Sequence, residues 1–504
     1  MTDNPARRDL LAGAALSLFA APAAARSADG GAGALAMAQS GSASFDPGWR
    51  GAVERPVEGR LADMVSILDF IPPAEHMPIR ARTSTTDLAR YFNAAIAHIE
   101  AAGGGELYIP AGRYRCGSTI ALCRKLRIRG ASRGGAHIQF THRGTGVPDG
   151  SGFKSVHPSN ASTPANIFIS DLWVEMLHGS NLGAGFYDNG GTYVVLRDAT
   201  FSGGKFGVVF DQTEVSGIYT CELAGQLTGG AGLWIVNGPD ITAGNQGGYT
   251  NQITVDHNCN FSQNNAHAII DDGGDCHYFG NNNINGGGCK FAGIANLTIM
   301  GGEFESVVGR PTITFTYQTH YSAAPIGACS VVLCNGIITQ PAGQPCIVAF
   351  SLYNLHMTHM SMTAHNVAGC VSGTNNIGTV FARQNVNHNS PVPIFDTYSS
   401  SIFDDGNVRV NTEPNAVRTL GGADIHAITR CTSPGGCTVT VPPVSKTGWS
   451  IGHRIMIEQA AAGPVALSAG PGVTLHGTTS TAARYQLLEL IMTSADRWLV
   501  TRRG

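Results

Sequence analysis

The chain has 504 residues, with 32 Lys+Arg against 35 Asp+Glu, a formal net charge of −3, 65 glycines, 43% apolar and 13% charged residues. Globular proteins average about 25% charged residues; without a basic excess, a general electrostatic grip on nucleic acid is excluded, and the apolar content excludes a disordered chain. No run of about 18 apolar residues follows the N-terminal segment, so no membrane insertion is expected.

Residues 1–25 place Arg7 and Arg8 ahead of an apolar stretch, Leu10 to Ala21, that ends in small residues. That order reads as a secretory signal, and Arg7-Arg8-Asp9-Leu10-Leu11 resembles a twin-arginine signal. Export to the periplasm or the extracellular space is therefore expected. Residues 26–45, rich in Gly, Ala and Ser, read as a flexible linker. Cys116 and Cys123, and Cys431 and Cys437, are near enough in sequence to close small loops. Thr86-Asp87 precede Leu88, Phe92, Ala95, Ile96 and Ile99, apolar at helical spacing, and Gly103-Gly104-Gly105 stop the pattern. This predicts one long, N-capped amphipathic helix.

From about 116 to 415 the pattern changes to short β-rich runs (167–175, 193–201, 252–261, 297–305, 330–338 and 354–362) separated by Gly, Asn, Ser and Thr turns. With no helices between them, such runs predict a solenoid. Its strands stack like side chains about 4.8 Å apart. Stacked aliphatic, Asn, Ser and Thr residues tolerate this and stacked charges do not, which fits the low charge.

The segments SILDF (66–70), GGGELYIPAGRY (103–114) and KLRIRGAS (125–132), with the helix 86–102 between, resemble the pectate-lyase-like domain of the right-handed parallel β-helix superfamily. That superfamily includes polygalacturonases, pectate lyases and phage tailspikes. The usual Gly-Asp-Gly-x-x-Asp-Asp stretch is reduced here to Thr83-x-x-x-Asp87. The resemblance implies an all-β chain: a right-handed single-stranded parallel β-helix over 46–420, its N-terminal end capped by the helix. Residues 438–477 and 487–500, ending near Trp498, resemble the small β-domains at the ends of phage tail proteins. A C-terminal β-domain over 421–504 is expected, covering the solenoid's open edge.

The segments 183–188, 206–211, 232–237 and 267–272 superimpose, with Asp188, Asp211, Asn237 and Asp272 at their last positions. This predicts one column of acidic side chains, about 5 Å apart on adjacent rungs and about 10 Å two rungs apart. Those spacings bracket the carboxylate pairs of retaining and inverting glycosidases. The pair Asp271-Asp272 resembles the Asp-Asp of polygalacturonases. Glu303 and Glu305 flank Phe304, so with Phe304 in the core both project outward. The candidate catalytic residues are Asp188, Asp211, Asp271, Asp272, Glu303 and Glu305. The candidate substrate-binding residues are Asp256, His257, His277, Tyr187, Trp234 and Arg310. His356 and His359 fall on opposite faces of one strand, and no resident metal is expected.

The expected function is an exported carbohydrate-active enzyme that cleaves glycosidic bonds of a polysaccharide or oligosaccharide by acid/base hydrolysis, without a cofactor. One alternative is a polysaccharide lyase acting on a uronate polymer. Its base would be Lys290, Arg310 or His277, and Asp271, Asp272 and Asp275 would hold Ca²⁺. A second alternative is a non-catalytic surface or polysaccharide-binding protein. The expected assembly is a monomer or a homotrimer.

Overall fold

The computed structural model describes residues 44–45, 55–56, 64–157, 165–236, 250–262, 267–292, 294, 296–306, 310–316, 330–339, 343–350, 354–363, 371–374, 379–383, 387–388, 401–404, 409–421, 424, 427–447, 449 and 451–503. The expected signal and almost all of the expected linker lie outside the described residues, as does Asn237. Contacts divide the chain into Met1–Arg60 and Leu61–Gly504. In the first unit Ser44–Phe45 pairs antiparallel with Arg55–Pro56.

The second unit is built from repeated three-strand coils. In one coil Val194–Arg197, Thr200–Gly203 and Phe206–Asp211 each belong to a different sheet, and the next coil repeats the order. Among the described residues this gives parallel sheets of thirteen, eleven and ten strands, here the first, second and third sheets. The long β-rich runs of the sequence are each two strands and a corner. Residues 167–175, for example, hold Ile167–Ser170 and Trp173–Met176 on the first and second sheets. The corners between these sheets carry a residue in the left-handed region: Asp198 at φ 49°, Asn281 at 48°, Asn335 at 55° and His359 at 53°. Short polar side chains tolerate that conformation best. His359 therefore sits at a corner and not on the strand Asn354–Thr358 that carries His356, which corrects the single-strand reading of that pair.

Strand pleat sends alternate residues to a common interior. On the second sheet Tyr114, Ile138, Val174, Phe201, Leu223 and Phe261 stack in register, all fully buried. Each such side chain stabilises the fold by about 1.5–3 kcal/mol. Two helices close the N-terminal side: α1, Pro73–Arg80, which the sequence pattern did not reveal, and α2, Ala89–Ala101. Asp87 Oδ1 accepts the Ala89 amide at 3.0 Å and the Gly117 amide at 2.7 Å, tying the start of α2 to the first coil. The α2 face of Phe92, Ala95, Ile96 and Ile99 joins the solenoid core and packs on the first rungs. Among the described residues no helix is long and apolar enough to cross a membrane.

Arg409–Glu413 and Val417–Thr419 are already strands of the C-terminal sheets, ahead of residue 421. Those sheets first pair parallel and end in an antiparallel hairpin, Leu487–Ser494 and Arg497–Arg503. They enclose a separate core in which Trp498 packs edge-on against Trp449. Cys431 and Cys437 are free thiols in that core, and Cys116 and Cys123 are also free.

Candidate active site on the third sheet

The third sheet decides the fate of the acidic residues, and its register differs by one residue from the expected superposition. Asp188 pairs with Phe210, which pairs with Ile235, which pairs with Asp271. That column faces the core. Asp211 instead pairs with Asn189 and Val236, and Asp272 continues the same outward column, its amide bonding to Ile235 O at 2.9 Å. The predicted column of Asp188, Asp211 and Asp272 is therefore corrected: Asp211 and Asp272 share a wall, two rungs apart, and Asp188 does not. The segment Ala184–Asn189 extends one residue past its Asp, and end-alignment concealed this.

Asp188 and Asp271 are both fully buried. Thr213 Oγ1 donates to Asp188 Oδ2 at 2.7 Å and the Gly191 amide at 3.0 Å. His157 Nε2 lies 3.7 Å from Asp188 Oδ1 and 2.6 Å from Ser155 Oγ. Burial pushes the Asp188 carboxyl up to about 6 despite these donors. His157, with Arg124 Nε donating to its Nδ1, is pushed down to about 4, chiefly by burial and then by Arg124. Asp271 Oδ2 is 2.6 Å from His277 Nδ1, and His277 Nε2 faces Thr250 O at 3.3 Å. Both ring nitrogens thus face acceptors, so Asp271 and His277 form an internal pair that pins the turn between two sheets. The expected substrate-binding place of His277 is corrected on the same ground, since it is 1% exposed.

The outward wall has a different character. Tyr187 Oη donates to Asp211 Oδ2 at 2.9 Å, and Trp234 Nε1 donates to Asp272 Oδ2 at 2.8 Å. Lys290 Nζ lies 3.8 Å from Asp272 Oδ1. Trp234 stacks on Phe206 with centroids 4.6 Å apart, and Tyr187, Val209 and Ala231 belong to the same apolar cluster. Burial, and then the charge of Asp211, raise the Tyr187 phenol above its ordinary range, which keeps its proton available to Asp211. His267 lies on the same face, in register with Ala231. Burial first, then Arg310 and Lys290, push His267 down to about 4, so its ring is neutral at neutral pH. Its Nδ1 is buried with no hydrogen-bond partner.

The remaining candidates lie elsewhere. Glu303 and Glu305 flank the buried Phe304 and project outward, but from the second sheet, in register with Asn283 and Asn285. Asp256 closes a strand of the first sheet, and His257 Nδ1 is 3.3 Å from its Oδ2. Asp271 faces the core, Asp272 faces outward, and Asp275 accepts from Asn296 at 2.8 Å. These three carboxylates do not form one calcium ligand set, and among the described residues no cluster of three metal-ligating side chains occurs. Sequence reasoning missed His267 and Phe206. Both open third-sheet strands, so a correct register would have placed them in one column with Ala231.

No family model and no curated protein matches the chain. Among solved structures, a tailspike of Escherichia coli bacteriophage HK620, in complex with a pentasaccharide, matches with a TM-score of 0.54 at 12% identity, covering 91% of this chain and 96% of that one. DFA-IIIase from Arthrobacter chlorophenolicus A6, without its lid and in complex with GF2, matches with a TM-score of 0.52 at 12% identity, covering 69% of this chain and 95% of that one. The three stacked parallel sheets and these likenesses together identify the chain as a protein of the right-handed parallel β-helix fold.

Proposed function

We propose that the protein is an exported enzyme that cleaves glycosidic bonds of a polysaccharide along the outer wall of the third sheet. The observation that carries this reading is the pair Asp211 and Asp272. They share one outward column, each with an aromatic donor, beside the stacked rings of Trp234 and Phe206. Two rungs separate their backbones by about 10 Å, near the wider carboxylate spacing of about 6.5–9.5 Å that leaves room for a water. Asp272, which accepts from Trp234 and faces Lys290, serves as base. It takes a proton from water as the water oxygen bonds to the anomeric carbon. Asp211 serves as acid: its protonated form, rather than the ionised form that accepts from Tyr187, gives its proton to the departing glycosidic oxygen. The pentasaccharide complex of the tailspike supports carbohydrate as the ligand class.

A second reading has its own observation. Neutral His267, with its unpartnered Nδ1, sits with Lys290 and Arg310 acting on it. That set suits β-elimination on a uronate: His267 removes the proton beside the carboxylate, and the cations face the acid group. One experiment separates the two. The protein is incubated with a panel of neutral and acidic polysaccharides. New reducing ends without new ultraviolet absorbance support hydrolysis; a new conjugated double bond supports elimination. Neither product from any polymer in the panel rejects the enzyme reading.

A further inference from the structure

We propose that the outer face of the first sheet is a second glycan-binding platform, built on Tyr219 and Tyr278, separate from the third-sheet wall. The inference rests on the polysaccharide reading and adds a site to it. On the first sheet Ile218 and Phe279 point into the core. Tyr219 and Tyr278 therefore point outward, each on the same face as a glycine two residues away. Both rings lie across those glycines. A methyl group at Gly217 would stand 2.6 Å from Tyr219 Oη and 2.7 Å from its Cε2. One at Gly280 would stand 2.6 Å from Tyr278 Oη and 2.7 Å from its Cε1. Neither glycine has the positive φ that would demand glycine for backbone reasons. Their missing side chains instead leave room for the rings to lie on the sheet.

The two rings occupy strands two rungs apart, with Asn251–Asp256 between them. That is about 10 Å along the solenoid axis, close to the span of a disaccharide. The intervening rung presents Thr254 in the column of Tyr278 and Asp256 in the column of Tyr219. His257, 62% exposed, sits beside Asp256 with its ring inclined at 66° to Tyr219, centroids 5.7 Å apart, and the guanidinium of the exposed Arg197 lies over the Tyr219 ring, 5.7 Å from its centroid. Flat aromatic faces meet the C–H faces of pyranose rings, and the Asp256 carboxylate, the His257 imidazole and the Arg197 guanidinium over Tyr219 meet the hydroxyls. A linear glycan lying along the solenoid axis satisfies both.

The test measures retention of the full-length protein on each immobilised polysaccharide of the panel, at a salt concentration that screens charge. Wild-type retention is expected, and the Tyr219→Ala/Tyr278→Ala variant should lose about 3–10-fold in affinity per ring removed. Gly217→Ala should weaken retention comparably, since it lifts one ring while deleting no side chain. Tyr219→Phe, which keeps the ring, should bind as the wild type does. A purely structural role for the rings would lower melting temperature and leave retention unmoved, and that outcome overturns the platform. Equal retention of the wild type and the double alanine variant also overturns it, as does a fall in sedimenting mass with unchanged retention, which would make the face a contact between copies. A wild-type protein that cleaves a polymer yet fails these tests retains the third-sheet site alone. One that neither binds nor cleaves any polymer overturns both proposals.

Discussion

Asp271 and Asp272 are neighbours in the chain and opposites in the structure. The first is held inside the solenoid against His277, and the second stands on the outer wall against Trp234 and Lys290. The same contrast separates Asp188, inside against Thr213 and Gly191, from Asp211, outside against Tyr187. Pleat divides Asp271 from Asp272, because successive residues of a strand face opposite sides of the sheet, and the register of neighbouring coils divides Asp188 from Asp211. The interior sites hold fixed internal partners, which burying a carboxylate requires, although at Asp188 burial still outweighs them and lifts the carboxyl to about 6. The outer pair is set among the rings of Tyr187, Trp234 and Phe206, with Lys290 beside Asp272, and Asp272 is itself 7% exposed. An acidic residue on a β-solenoid thus takes its role from register before it takes one from chemistry.

The largest expected effect tests the outer side of that contrast. Asp272→Asn should reduce polysaccharide turnover by about 10²–10⁴-fold, with melting temperature close to that of the wild type. Turnover within threefold of the wild type would remove Asp272 from the site. On the inner side, Asp271→Ala should destabilise the fold by about 3–5 kcal/mol, because it strands His277 in the core. Urea unfolding measures this, and a loss below about 1 kcal/mol would contradict the pairing.

Asp188 and His157 sharpen the contrast through pH. Burial raises Asp188 from 3.8 to about 6, so between those values the folded state holds more protons than the unfolded, and this group's contribution falls as pH rises. His157, lowered from 6.5 to about 4 by burial and then by Arg124, does the reverse over nearly the same window. The two slopes oppose each other in the wild type. Asp188→Asn should leave stability rising from pH 4 to 6.5, and His157→Gln should leave it falling from pH 4 to 6. The Asp188 contribution amounts to about 3 kcal/mol at about 1.4 kcal/mol per pKa unit. Identical pH profiles of melting for both variants would refute the opposition. The smallest effect is expected at Glu305→Gln, on the second sheet, which should change turnover less than twofold in the same assay that registers Asp272→Asn.

Much of the fold was legible in the sequence. Helical spacing from Leu88 to Ile99 marked the face of α2 that caps the core, and the runs at 167–175 and 297–305 marked strands of two sheets. Helix α1 was not legible, since Pro73 and Pro78 interrupt the pattern and Ile79 is its single buried residue. The outward placement of Glu303 and Glu305 followed from alternation around Phe304. The wall they stand on did not, because sheet membership depends on where each corner falls. Trp234 and Tyr187 were singled out as ligands for sugar, but the sequence held no sign that their polar atoms aim at Asp272 and Asp211.

By itself, the amino-acid order determined local things: periodicity, capping by Asp87, corners at Asn and Gly, and a low charge suited to stacked rungs. These depend on neighbours within a few residues, where backbone geometry is the same in any fold. Tertiary structure alone decided the register of one coil on the next. A shift of one residue between Ala184–Asn189 and Phe206–Asp211 sends Asp188 inward and Asp211 outward. That choice is made by the fit of Phe186, Val208 and Phe210 in a shared core, through contacts between residues more than twenty positions apart, and no local pattern records it.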